Sequence, residues 1–275
     1  MPELIDQLEA CRAIGTYLDE RTLAADTEVA QLVIATYERA SDTFASMTCL
    51  MPPSYTVQGA MLARSLFEDV AVSHWLVLNE EDPDWLLQRF FRHRAAMRLH
   101  EARVRRSIGW DIPDVSDISD DEDELKTEFG LYAQRDWWGI RKDGTKLSMA
   151  ALVEILTETS RFQPRLKGEQ PIFMQIYSSI HKLNTQCLHH TAVGLKLHLD
   201  SAGRAPVVYQ PLSEFEVLFA GYWLHAQLIY LTLEVAGEDA REFESLFLHG
   251  LYNVLGRASH LPEELKRARP PSRPV

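Results

Sequence analysis

The stretch from Tyr55 to Leu78, YTVQGAMLARSLFEDVAVSHWLVL, decides the fold. Met61, Leu62, Leu66, Phe67, Val70, Ala71, Trp75, Leu76 and Val77 spread round nearly every side of a helical projection. A helix that is apolar all round must be surrounded by other helices, so the stretch predicts an all-α protein with this helix near its centre. Met51-Pro52-Pro53 precedes it and stops the helix before, because neither proline continues the hydrogen-bond ladder.

Helical periodicity continues on both sides. Upstream it predicts helices over about Glu3 to Asp19 and Asp26 to Cys49, with Asp26 as N-cap and Glu28 behind it. Downstream it predicts helices over about Pro83 to Arg106, Glu124 to Gln134, Ser148 to Thr159 and Pro171 to Leu199. A closing pair, Ser213 to Ala236 and Glu238 to Ser259, meets at Gly237. No set of alternating strands, no internal repeat and no clear linker is present. The expectation is therefore one all-α bundle of about eight to nine helices over residues 1–262. Arg267-Ala268-Arg269-Pro270-Pro271-Ser272-Arg273-Pro274 lies in a basic, proline-rich tail, 263–275, expected to be disordered.

The 275 residues are 46% hydrophobic and 25% charged, which suits a globular protein and excludes a collagen-like or disordered one. Lys plus Arg is 28 against 40 for Asp plus Glu, giving a net charge of −12 and no bulk basic surface for nucleic acid. Cys11, Cys49 and Cys187 are odd in number and lack a CxxC spacing, so each is expected to be a small buried hydrophobe in a reducing cytoplasm. The N-terminal residues carry no basic segment followed by an apolar one, and no secretory signal is expected. Phe215 to Val235 (FEVLFAGYWLHAQLIYLTLEV) is long enough to span a membrane. Glu216, His225, Gln227 and Glu234 within it favour a buried core helix.

The helix after Pro83 carries Arg89, Arg92, Arg94, Arg98, Arg103, Arg105 and Arg106. Asp111, Asp114, Asp117, Asp120, Asp121, Glu122, Asp123 and Glu124 follow it. The simplest expectation is mutual neutralisation, with an arginine face gripping phosphates as the alternative.

Two constellations carry chemistry. Arg64 and Glu68 stand four residues apart on the central helix and share a side with Met61, Phe67, Ala71 and Trp75. A charge pair on such a face either clips helices together or lines a polar pocket with a guanidinium aimed at an anion. Further on, Tyr177-Ser178-Ser179-Ile180-His181 opens a stripe in which Ser178, His181, Thr185 and His189 follow at helical steps. Ser178 and His181 are spaced to hydrogen bond, and the imidazole would serve as a general base or hold a phosphate. ExxH, HExxH, GxxxxGK[ST], strand-linked GxGxxG and GxSxG are all missing, so no metal and no cofactor is implied.

Ala63-Arg64-Ser65-Leu66-Phe67-Glu68, then Trp138-Gly139 before a Ser-led helix, then Tyr177-Ser178-Ser179-Ile180-His181 resemble, in that order, the bacterial domain of unknown function 5677 family over about Thr56 to Leu195. The resemblance implies an all-helical intracellular domain and nominates Arg64, Glu68, Ser178 and His181. Tyr177, Trp138 and His189 are secondary candidates for ligand contact. A weaker similarity links Arg94 and His100, with five residues between them, to the helical HEPN ribonucleases of prokaryotic toxin and defence systems. It implies that His100 would take a 2′-hydroxyl proton while Arg94 stabilised the phosphorane. The reading favoured by the sequence is a ligand-binding or regulatory helical protein of a prokaryotic defence or stress system, taking a small anionic ligand. A metal-independent ribonuclease acting on RNA and a protein docking module are the alternatives. A homodimer is the expected assembly, with no membrane partner.

Overall fold

A computed structural model of the protein describes residues 2–50, 56–159, 171–182 and 214–254. Among these residues are nine α-helices, one π-helical turn and no strand beyond a single bridge between Ile140 and Lys146. The helices are α1 (Pro2–Gly15), α2 (Glu28–Leu50), α3 (Thr56–Leu78), α4 (Asp84–Ser107) and α5 (Glu122–Phe129). They continue with α6 (Met149–Thr159), α7 (Ile172–Ile176) running into the π turn Tyr177–Lys182, α8 (Glu214–Val235) and α9 (Arg241–Val254). The all-α expectation holds. The chain divides into two compact units, one of Met1–His74 and Val153–Val275, the other of Trp75–Leu152.

In the first unit α8 is the pillar. From Val217 to Leu233 every side chain except Phe219 is buried, and α1, α2 and α9 pack round the helix. The apolar stretch that contains it is thus a core helix. No helix among the described residues is long and apolar enough to cross a membrane. The α2–α8 contact is close at Gly221, which faces Met47 and Phe44. One turn on, His225 lies between the rings of Tyr37 and Phe44, at 5.6 and 4.5 Å. Against α9, the buried Tyr222 hydroxyl donates to the Phe247 carbonyl at 2.8 Å. Cys11 is buried, and burial pushes its thiol up to about 12, but Cys49 is exposed. Cys49 is in the last turn of α2, two positions past the buried Met47, and so faces away from the core.

The second unit is built on α4 and α5. Ala95, Ala96, Leu125, Phe129 and Ala133 form its core, with Leu99, Ile118 and Trp137 packed against them. The Arg89 guanidinium lies over the Phe129 ring, 4.8 Å from its centre, and donates to the Trp137 carbonyl at 2.7 Å.

Helix ends differ from the expected ones for local reasons. α1 stops at Gly15 rather than near Asp19, because the chain tightens into bonds between residues three apart, such as Tyr17 N–H to Ile14 O. Thr27, not Asp26, caps α2: its hydroxyl oxygen accepts from the Ala30 N–H at 3.0 Å. Asp121 caps α5, accepting from the N–H groups of Asp123 and Glu124, so that helix starts earlier than its apolar rhythm implies. It ends at Phe129 rather than near Gln134, since Gly130 takes φ 86° and leaves the helical path. Ser148 caps α6 as expected. The remainder of the helix expected to reach Leu199, with Thr185, Cys187 and His189, the end of the last helix and the basic tail lie outside the described residues.

Candidate functional site

The first unit brings the two expected constellations together. On α3 the Arg64 Nε donates to Glu68 Oε1 at 3.2 Å, as the spacing of four implies. The same carboxylate oxygen meets His181 Nε2, from the π turn, at 3.1 Å. The imidazole is the deepest member at 14% side-chain exposure, and Arg64 is at 24%. The hydrogen bond from His181 holds the Glu68 carboxyl below its ordinary pKa, and Arg64 pulls the same way against the opposing effect of burial. Glu68 is therefore a carboxylate at neutral pH. It fixes the inner nitrogen of Arg64, while Nη1 and Nη2 take no partner among the described residues.

An aromatic wall backs the triad. Phe67 packs on Phe173 (4.7 Å between ring centres), Tyr177 (5.9 Å) and His181 (5.5 Å), and Tyr177 stacks on His181 at 5.3 Å. Phe173 touches Trp223 of α8 at 5.9 Å, which anchors the wall in the core. Pro171 opens α7, accepting the Gln175 N–H at 3.0 Å. The helix then widens into a π turn, an arrangement enriched at functional positions. The Ser179 hydroxyl donates to the Gln175 carbonyl at 2.9 Å there.

The widening changes which side chains coincide. In a π turn each residue advances less round the axis than in an α-helix, so positions three apart diverge. Ser178 is exposed and makes no side-chain hydrogen bond among the described residues, whereas His181 bonds Glu68. The expected Ser178–His181 hydrogen bond is thus replaced by a His181–Glu68 one. Tyr177 does sit at the site, and His189 lies outside the described residues.

The remaining candidates belong to the second unit. Trp138 is half-buried, and its carbonyl accepts the Ile140 N–H at 2.8 Å in a tight turn. Arg94 is exposed. His100 is half-buried, edge-on to Tyr132 at 5.4 Å, with a buried Nδ1 that has no hydrogen-bond partner among the described residues. Six helical positions amount to about 240° beyond a full turn, so Arg94 and His100 leave α4 on different sides. Three of the seven arginines of α4, Arg92, Arg98 and Arg103, pair with the acidic stretch, so the simpler expectation holds for part of the helix. Arg89 pairs with Glu128, Arg92 with Asp120 at 2.8 Å and Glu128 at 3.0 Å, and Arg103 with Glu122. Arg98 takes both oxygens of Asp117, at 2.7 and 2.8 Å, and the Asp114 carbonyl. Arg105 pairs with Glu101 of its own helix, leaving Arg94 and Arg106 without an ion pair among the described residues.

Sequence reasoning missed Asp69, next to Glu68. Its side chain is buried, Oδ1 pairs with the exposed Arg39, and Oδ2 has no hydrogen-bond partner among the described residues. Burial pushes its pKa up to about 6, against the pull of Arg39. A second carboxylate beside Glu68 on an otherwise apolar helix was the available signal. Among the described residues no three His, Cys, Asp or Glu side chains gather as a metal ion would require. Compared with known protein families, with curated proteins and with solved structures, the chain matches none, and the family resemblances rest on the short motifs alone.

Proposed function

We propose that this protein is a binding module for a small anionic group, taken up by the outer edge of the Arg64 guanidinium beside His181 and Tyr177. One observation carries the reading: an ionised Glu68 fixes Nε of Arg64, while Nη1 and Nη2 have no partner among the described residues. A guanidinium is a planar fork of donors that matches two oxygens of a carboxylate or phosphate, and a fork already oriented loses less freedom on binding. The half-buried Tyr177 ring, backed by the fully buried Phe67, offers the apolar body of a ligand a flat surface next to the fork. A hydrolytic reading has less support. Ser178 points to solvent without a base, and the Nε2 of His181 is engaged with Glu68.

Thermal unfolding of the full chain in the presence of inorganic phosphate, acetate or a nucleoside monophosphate tests the proposal. At least one should raise the melting temperature of the wild type. Arg64→Met should melt where the free wild type does and lose the shift. Arg64→Lys, which keeps the charge but not the fork, should weaken binding about tenfold. No shift with any probe, or a shift that survives Arg64→Met, refutes the reading. So does RNA cleavage by the wild type that a folded His181→Ala variant has lost.

A further inference from the structure

The outer face of α4 and the residue that ends it, Ile108, carry a line of side chains that, apart from Phe90, which packs edge-on to Trp137 at 5.1 Å, their own unit leaves uncovered. Phe90, Arg94, Met97, Glu101, Val104 and Ile108 recur at steps of four, three, four, three and four. This spacing keeps one edge of a helix against a second helix along its whole length. All but the half-buried Phe90 are exposed, while Leu86, Leu87, Ala95, Ala96 and Ala102 on the other side of α4 are buried. Beyond the helix end, the Trp110 N–H returns to the Arg105 carbonyl at 2.9 Å and leaves the indole 65% exposed at the same end of α4. An exposed Met, Val, Ile and Trp grouped in this way is costly in water unless something covers them.

The charges on the line select the cover. Among the described residues Arg94 makes no ion pair, only a longer-range attraction to Asp117, although Arg89, Arg92, Arg98, Arg103 and Arg105 of the same helix all have one. If two copies of α4 lie antiparallel about a two-fold axis at the level of Leu99, Phe90 faces Ile108 of the second copy, Arg94 faces Val104, and Met97 faces Glu101. Each pair then occurs twice, as an isologous contact requires. Arg94 of one copy and Glu101 of the other stand in neighbouring layers, about 5 Å apart along the axis, within reach of each other. A parallel pair in register would instead set Arg94 on Arg94 and Glu101 on Glu101, with like charges opposed. Glu101 already accepts from Arg105 of its own chain at 2.8 Å, an exposed pair that holds it weakly.

We propose that this protein forms an antiparallel homodimer through the Phe90–Ile108 face of α4. The inference is independent of the anion site. A contact along one helix face is limited in extent, so a concentration-dependent monomer–dimer equilibrium is expected.

Sedimentation equilibrium of the full chain across a range of concentrations measures it. The wild type should show a monomer–dimer equilibrium. Met97→Glu combined with Val104→Glu should be monomeric with an unchanged circular dichroism spectrum, since both positions are exposed. Arg94→Glu alone should weaken the dimer about tenfold, and adding Glu101→Arg should restore it, because the swapped charges again oppose each other. A wild type that is monomeric throughout overturns the proposal, as does a dimer untouched by the Met97/Val104 substitutions. Failure of the charge swap to restore association overturns the antiparallel register.

Discussion

Glu68 and Asp69 are neighbours in the chain with opposite electrostatic histories. Glu68 has donors on both sides and ionises more readily than a free carboxyl, whereas the more deeply buried Asp69 holds its proton up to about pH 6. Because the folded pKa of Asp69 is raised from 3.8, its contribution to stability is full below about pH 4 and is lost as the pH rises through 6. Asp69→Asn keeps the shape and removes the ionisation. Its stability relative to the wild type should rise from pH 4 to pH 8 by about 2–3 kcal/mol, the pull of Arg39 being already contained in the raised value. Urea unfolding at the two pH values measures this, and a difference that does not change with pH would sink the assignment. At this scale the sequence is readable only where partners are close in the chain. Arg64 and Glu68 are one helical turn apart and were paired from spacing alone. Glu68 and His181 are 113 positions apart, and nothing local links them. A spacing of three brings Ser178 and His181 together only on an α-helical turn, and the turn here is π.

Helices were readable from apolar rhythm, and their ends much less so. The rhythm of α8 and α3 is set by burial, which sequence records directly, but ends are set by individual capping groups that compete within a few residues of each other. Thr27 and Asp26 are both good caps, and only the path of the chain decides that Thr27 reaches the Ala30 N–H. Gly130, by contrast, marks the end of α5 openly, because its φ of 86° is cheap for glycine and strained for other residues. Gly250 in α9 has a different reason for being glycine. A Cβ there would come within 2.1 Å of the Tyr222 hydroxyl, whose hydrogen bond to Phe247 O closes the α8–α9 contact. Gly250→Ala gains helix propensity of roughly 1 kcal/mol yet displaces a rigid, buried ring, and overpacking of that kind costs about 1–3 kcal/mol. A net destabilisation is expected, visible as a lower melting temperature. Tyr222→Phe in the same background should recover part of it by removing the hydroxyl. If Gly250→Ala melts at or above the wild-type temperature, the contact is looser than its geometry implies.

Across the whole chain, the two units have no proline- or glycine-rich linker to announce them. Their boundaries, after His74 and after Leu152, fall inside α3 and α6, where helical patterning runs on without a break. Charge on this scale is also deceptive. A net charge of −12 and the long series of Arg–carboxylate pairs suggest that acid acts first on the α4–α5 unit. Yet carboxylates such as Asp117 and Glu122 lie at the surface, where a pair is worth little and is screened by salt. The buried side chains decide instead. Burial drives the His225 pKa down to about 3, and the half-buried His74 is driven the same way, to about 4. A histidine with a lowered folded pKa gives stability that is full above about 6.5 and is lost as the pH falls toward the folded value. Between pH 4 and 6 the two histidines lose stability faster than the single Asp69 regains it, so the stability of the wild type should fall as the pH drops through this range. Neither ring nitrogen of His225 has a hydrogen-bond partner among the described residues, so His225→Leu removes an unsatisfied group, worth about 1–3 kcal/mol, at the expense of two ring contacts. Near pH 7 that variant should be about as stable as the wild type, and its acid midpoint, followed by the fluorescence of buried Trp223, should move to lower pH. An unmoved midpoint would place the acid-sensitive step elsewhere, with the surface carboxylates of the α4–α5 unit next in line.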